Sequence, residues 1–229
     1  MSLLIIDSAM NACSVGVFDP MTDVMLAECV LDMPRGQAEH LMPMVVEVLQ
    51  EAGKEFADLT AVAVTTGPGA FTGMRIGLSA AKSLALALDL PCIGVDTFQA
   101  IFRSYQIDHQ CDEGMFYGVL LETKRQDFYF QLFYASGAPV GERLADMPER
   151  VMDIIGDRHC VMIGDAFERF QGQVQSKYIT EHYMSSPAPL AIAKTAKALW
   201  ERKEVCSDPI YLRPPDVSLS KIKQRQIGD

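Results

Sequence analysis

The chain has 229 residues, 49% apolar and 22% charged, enough for one large domain or two small lobes with a core of normal size. A net charge of −10 repels phosphate backbones and argues against unaided binding of DNA or RNA. The longest apolar runs break well short of the roughly 18 residues a membrane helix needs, and the opening M-S-L-L-I-I-D carries no basic region, so a cytoplasmic protein with no membrane partner is expected.

Residues 3–6 are a compact apolar run ending at Asp7 and predict a first strand. Residues 14–18 and 24–30 predict two more, parted by the turn pair Asp19-Pro20. Residues 37–52 predict a helix stopped by Gly53. A β-branched strand over 61–65 leads into a glycine-rich loop, then into a helix that ends near Leu88, ahead of Pro91. A short strand over 92–95 precedes a helix over 97–105, with Asp96 placed to cap it. In the second half, 116–121, 128–134 and 139–144 predict three strands, and 148–155 a helix that starts on Pro148. Residues 160–163 predict a strand ending at Gly164-Asp165, 167–170 a short helical piece, and 188–200 a long helix after a proline-containing loop.

The order β-β-β-α-β-α thus appears twice, which predicts an α/β protein with a mixed sheet and flanking helices in each half. The polar stretch 106–114 is the expected boundary, giving lobes 1–105 and 106–229 with a cleft between them. The final stretch, 209–229, includes the basic run K-I-K-Q-R. It reads either as a solvated terminus or as a tail ordered by a partner.

The six cysteines form no C-x-x-C pair, so reduced thiols are expected. The histidines at 40, 109, 159 and 182 show no metal-ligand spacing, so no metal is expected. His40 reads as a capping or interface residue at its helix.

The loop T-G-P-G-A-F-T-G, from Thr66 to Gly73, stands between a strand and a helix, where phosphates are often held by backbone N–H groups. Its templates fail. A Walker loop needs G-x-x-x-x-G-K-[ST], but Gly69 and Gly73 are too close and Met74-Arg75 follow. In the G-x-G-x-x-G fingerprint, Thr72 stands where the third glycine belongs. The plainer reading is that the glycines permit a tight strand-to-helix turn. If a nucleotide binds, Asp7, Thr66, Gly67 and Gly69 are the positions it would touch. Glu122, Asp127 and Asp165 at strand ends are candidates to line the cleft, but acidic strand ends are common. The residues alone show no nucleophile–base constellation, and no catalytic residue is expected.

The two helices carry a different signal. L-M-P-M-V-V-E-V-L over 41–49 is apolar nearly all round, and the helix from Phe71 carries Arg75 and Lys82 as its charges. A helix covering a sheet needs an apolar stripe over only about a third of its circumference. Each helix therefore needs a second cover, for which another molecule is expected. The partner interface is expected at His40, Leu41, Met44, Val45 and Val48 of the first helix. Gly73, Met74, Gly77, Ala80, Ala81 and Leu84 of the second complete it, with small residues at one end that let another helix approach closely.

The stretch L-L-I-I-D-S-A-M-N-A-C-S-V-G-V resembles the N-terminus of the TsaB family, also called YeaZ. So do A-E-H-L-M-P-M-V-V-E-V-L and G-P-G-A-F-T-G-M-R-I-G-L-S-A-A-K-S-L-A-L-A-L-D-L-P-C-I-G-V-D-T. The resemblance is strongest over residues 1–100. It continues in Y-G-V-L-L-E-T-K-R-Q-D-F-Y-F, where Glu122-Thr123-Lys124 replaces the usual D-A-R, and in Y-L-R-P-P-D-V-S near the end. It implies an actin-like fold of two ribonuclease H-like lobes, related to the sugar kinases and Hsp70 ATPases. It also implies a non-catalytic subunit of the bacterial machinery that makes N6-threonylcarbamoyladenosine at tRNA position 37. The implied partners are a TsaD-like catalytic paralogue, bound through the two helices, and a TsaE-like ATPase, with a homodimer when alone. Contact with tRNA would be indirect. No cofactor of its own is implied, and ATP or ADP, if present, would sit at the interface with partners. The alternatives are a stand-alone ATPase or peptidase of the same superfamily and a homodimeric ligand-binding module.

Overall fold

The structure is a computed structural model and describes residues 1–213; the basic run at 221–225 lies outside the described residues. β1 (Ser2–Asp7) is buried on both faces, so its sequence is an almost unbroken apolar run. It pairs antiparallel with β2 (Ala12–Asp19), and β2 with β3 (Val24–Asp32). β4 (Leu59–Gly67) lies parallel to β1, and β5 (Cys92–Asp96) parallel to β4, so the order is β3-β2-β1-β4-β5.

Side-chain alternation splits this sheet between two cores. Leu4, Ile6, Val62 and Val64 meet α1 (Gln37–Glu51) and α2 (Phe71–Ala87). Leu3, Ile5, Ala61 and Ala63 meet Ile192, Ala193 and Ala196 of α6 (Pro189–Glu201) on the opposite face.

The second sheet repeats the plan. β6 (Phe116–Glu122), β7 (Phe128–Tyr134) and β8 (Pro139–Asp146) form a meander. After α4 (Pro148–Ile155), β9 (Cys160–Gly164) joins parallel to β6; after α5 (Phe167–Gln171), β10 (Ile179–Tyr183) joins parallel to β9. Its order, β8-β7-β6-β9-β10, is that of the first sheet. The expected two-lobed, actin-like architecture is therefore present.

α3 (Thr97–Asp108) joins the lobes. Asp96 caps it as expected, accepting from Phe98 N at 2.8 Å and Gln99 N at 3.4 Å. Phe98, Ile101 and Phe102 then pack against Tyr117, Val119 and Phe133 of the second lobe.

Three features differ from the sequence-based expectation. β10 occupies a stretch expected as loop. α6, which a division at 105/106 assigns to the second lobe, packs on the first sheet, and Ala188 N at its start donates to Ser104 Oγ at 2.9 Å. The stretch expected as a free or partner-ordered tail is held by the chain itself as far as Arg213, and 214–229 lie outside the described residues.

Candidate functional site

The glycine loop lies directly on the turn that follows β1. A Cβ at Gly69 would fall 2.1 Å from the Ala9 carbonyl oxygen, and one at Gly73 2.1 Å from that of Ser8. Only glycine permits this approach. Ala70 N donates to Ala9 O at 2.6 Å, and Ser8 Oγ to Gly73 O at 2.8 Å. A Cβ at Gly77 would come within 2.6 Å of Ser8 Oγ, so α2 continues down the same contact. The loop's glycines thus seat one stretch of backbone on another.

Asp7 lies beneath this contact, fully buried. It accepts hydrogen bonds from Thr65 Oγ1 and from Ala9 N, the latter at 3.0 Å. Burial raises its carboxyl pKa above the ordinary carboxylate value, against the pull of those bonds. Thr66 Oγ1 donates to Val95 O at 3.2 Å and ties β4 to β5. Of the four positions considered for a nucleotide, Gly69 lines the inter-lobe cleft; Asp7, Thr66 and Gly67 do not.

The cleft has a volume of about 730 Å³ and is bordered by Asn11, Arg35, Lys124, Asp165 and Arg213, among others. Two of its acids, Glu122 and Asp165, are engaged in building the second lobe. Glu122 is held by Arg169 through two 2.8 Å bonds, and the same guanidinium donates to Asp127 O at 2.9 Å and lies 3.7 Å from the Phe128 ring centroid. Asp165 accepts from Glu122 N at 2.8 Å; burial first, and the Glu122 charge after it, push its pKa up to about 6. Glu122 in place of the shorter acid is thus fastened by Arg169, and Lys124 adopts a left-handed φ of 59° at the hairpin. Among the described residues no cluster of three metal-ligating side chains occurs. The cleft can admit a small molecule.

The residues expected at a partner interface divide between core and surface. Leu41, Met44, Val45 and Val48 of α1, and Gly73, Met74, Gly77 and Ala81 of α2, are buried within the chain. The row of small residues faces inward, because α2 must lie against the Ser8–Ala9 turn. His40 is exposed, and Ala80 and Leu84 are partly exposed. The outer face also carries Met42 and Val46 on α1 and Phe71 and Leu86 on α2, Leu86 being 84% exposed. Sequence could have found this pair on α1, since Met42 and Val46 stand four apart, on the side opposite Met44 and Val48.

Comparison with known proteins gives this arrangement a family. A family model described as TsaD, tRNA N6-adenosine threonylcarbamoyltransferase, matches residues 33–208, more than half of the chain. A Haemophilus influenzae protein described as tRNA threonylcarbamoyladenosine biosynthesis protein TsaB is 27% identical over 99% of each chain. An Escherichia coli protein of the same description is 39% identical over 102 residues, 44% of this chain and 42% of that one. Among solved structures, a Pseudomonas aeruginosa protein described as similar to peptidase YeaZ superposes with a TM-score of 0.80 at 25% identity, covering 93% of this chain and 99% of that one. No helix among the described residues is long and apolar enough to cross a membrane. With the glycine loop, the duplicated sheets and the helix pair all in place, the chain belongs to the family that the TsaD model describes and, within it, to the TsaB (YeaZ) group.

Proposed function

We propose that this chain is a non-catalytic subunit in the synthesis of threonylcarbamoyladenosine on tRNA, and that it binds and activates a TsaD-like catalytic paralogue. The observation that carries the reading is the outer face of α1 and α2. Met42, Val46, Phe71 and Leu86 leave apolar surface exposed on two adjacent helices, a pattern that marks a protein-binding surface. The likeness to TsaB proteins supports the pathway. The use of Gly69 and Gly73 for packing against the Ser8–Ala9 backbone supports the lack of phosphate chemistry of its own. A TsaE-like ATPase joins the complex, with any ATP or ADP at the interface between subunits. Alone, the chain pairs with a second copy through the same helices. The net charge of −10 leaves most phosphate contacts with tRNA to the partner.

The test is threonylcarbamoyl transfer to tRNA in a reconstituted mixture of TsaD, TsaE and the adenylate-forming enzyme. Transfer that requires the chain supports the reading. Equal transfer without it, or transfer by the chain alone, overturns it.

A further inference from the structure

After α6 the chain turns back along the first lobe. Gly94 N donates to Cys206 O at 3.1 Å, and Ile210 N to Thr66 O at 2.8 Å, so the segment lies over β5 and the end of β4. The fit requires glycine at position 94, where a Cβ would fall 2.3 Å from the Cys206 carbonyl oxygen. Tyr211 then reaches the first turns of α2. Its ring centroid lies 5.6 Å from that of Phe71, and its hydroxyl accepts from Arg75 Nε at 3.1 Å. Two residues on, the segment reaches the other lobe, where Arg213 forms an ion pair with Asp127 in the β6–β7 hairpin.

Leu212, between these two anchors, packs into the inter-lobe core near Phe98 and Phe133. It lines both inter-lobe spaces, the 730 Å³ cleft and a second groove of about 520 Å³ bordered by Asp96, Gln131 and Arg143. A single side chain thus belongs to the wall of each. The two anchors differ: the Arg213–Asp127 pair is largely buried, whereas the first-lobe anchor is peripheral. Tyr211 is 43% exposed, and the nearby Lys82–Asp208 pair, at 3.8 Å, is open to solvent. Contacts of this kind open locally without unfolding the cores.

We propose that residues 206–213 are a releasable strap, which spans both lobes, sets their relative angle, and keeps the two inter-lobe spaces apart. Seated, it clamps α2 to the β6–β7 hairpin through Tyr211 and Arg213. Released, it takes Leu212 with it and the two spaces join, leaving the lobes tied by α3 and the Arg143–Asp96 ion pair. The inference concerns the chain alone and holds whatever docks on its helices.

Hydrogen exchange on the full chain tests this by looking for effects at the far end of the strap. In Arg213→Gln the lost anchor is in the second lobe, yet exchange at residues 71–76 of the first is expected to rise about tenfold, the effect of losing one charge-assisted bond. In Tyr211→Leu the reverse is expected, with faster exchange at 122–127. Amides of β1 should keep their wild-type rates in both. An effect confined to the mutated residue's own lobe overturns the strap, because separate local contacts behave that way. An equal rise in β1 also overturns it, because the contacts then support the whole fold instead of a part that opens.

Discussion

Gly73 and Ser8, sixty-five positions apart, approach so closely that a methyl on the glycine would stand 2.1 Å from the serine carbonyl oxygen. The serine returns the contact, its hydroxyl donating to Gly73 O at 2.8 Å. Neither backbone can yield without dragging β1 or α2 with it. Gly73→Ala should therefore cost about 3 kcal/mol, the upper end for overpacking in a core. A thermal melt should show a loss of several degrees, while Ser79→Ala on the exposed side of α2 should melt like the wild type.

The two faces of the helix pair separate folding from docking. Val46→Glu and Leu86→Glu place charge on side chains that already meet water. They should leave the melting temperature within about 1 °C and weaken association with the TsaD-like partner at least tenfold, since loss of a buried apolar anchor commonly exceeds about 1.4 kcal/mol. Ala81→Glu puts the same charge in the core and should abolish soluble expression. Calorimetric titration of the first two and a solubility assay of the third check this. Full affinity in Leu86→Glu would remove α2 from the interface.

Asp165 makes the fold pH-dependent in a defined window. Its folded pKa, about 6, lies above the ordinary carboxylate value of 3.8, so the folded state binds this proton more tightly. Stability from this group is fully present below about pH 4 and is lost as pH rises through 6. Asp165→Asn keeps an oxygen to accept from Glu122 N and removes the titration. The variant should match the wild type near pH 4 and be more stable near pH 7.5, by on the order of 2 kcal/mol. Denaturant midpoints across that range give the comparison, and a constant difference would place the titration elsewhere.

Arg169 organises the hairpin at the opening of the second lobe by gripping Glu122 and the Asp127 carbonyl while covering Phe128. Lysine keeps the charge but not the fork or the flat face. Arg169→Lys should cost roughly 1–3 kcal/mol, seen as a lower urea midpoint. Glu122→Gln should lose about as much, and the two losses should not add.

Much of the fold was legible because β1, β4 and β6 are continuous apolar runs and because Pro148, Asp96 and Gly53 punctuate their helices. β10 was not, since I-T-E-H-Y is an edge strand with mostly exposed side chains, which nothing distinguishes from loop. On the helix pair the apolar character was legible, but which of its residues the chain itself buries was not. Both sides of α1 are apolar, and the row of small residues on α2 suits a tight contact inside the chain as well as outside it. What decided the matter was the Ser8–Ala9 turn, which no local pattern connects to Gly69 or Gly73. The segment around Tyr211 was hidden for the same reason, its partners lying in both lobes.

The return of α6 to the first sheet has a consequence for synthesis. The face formed by Leu3, Ile5, Ala61 and Ala63 is made well before Ile192, Ala193 and Ala196, which cover it. A ribosome must therefore finish the whole second lobe before the first can close. The nascent protein carries an open apolar sheet throughout that interval.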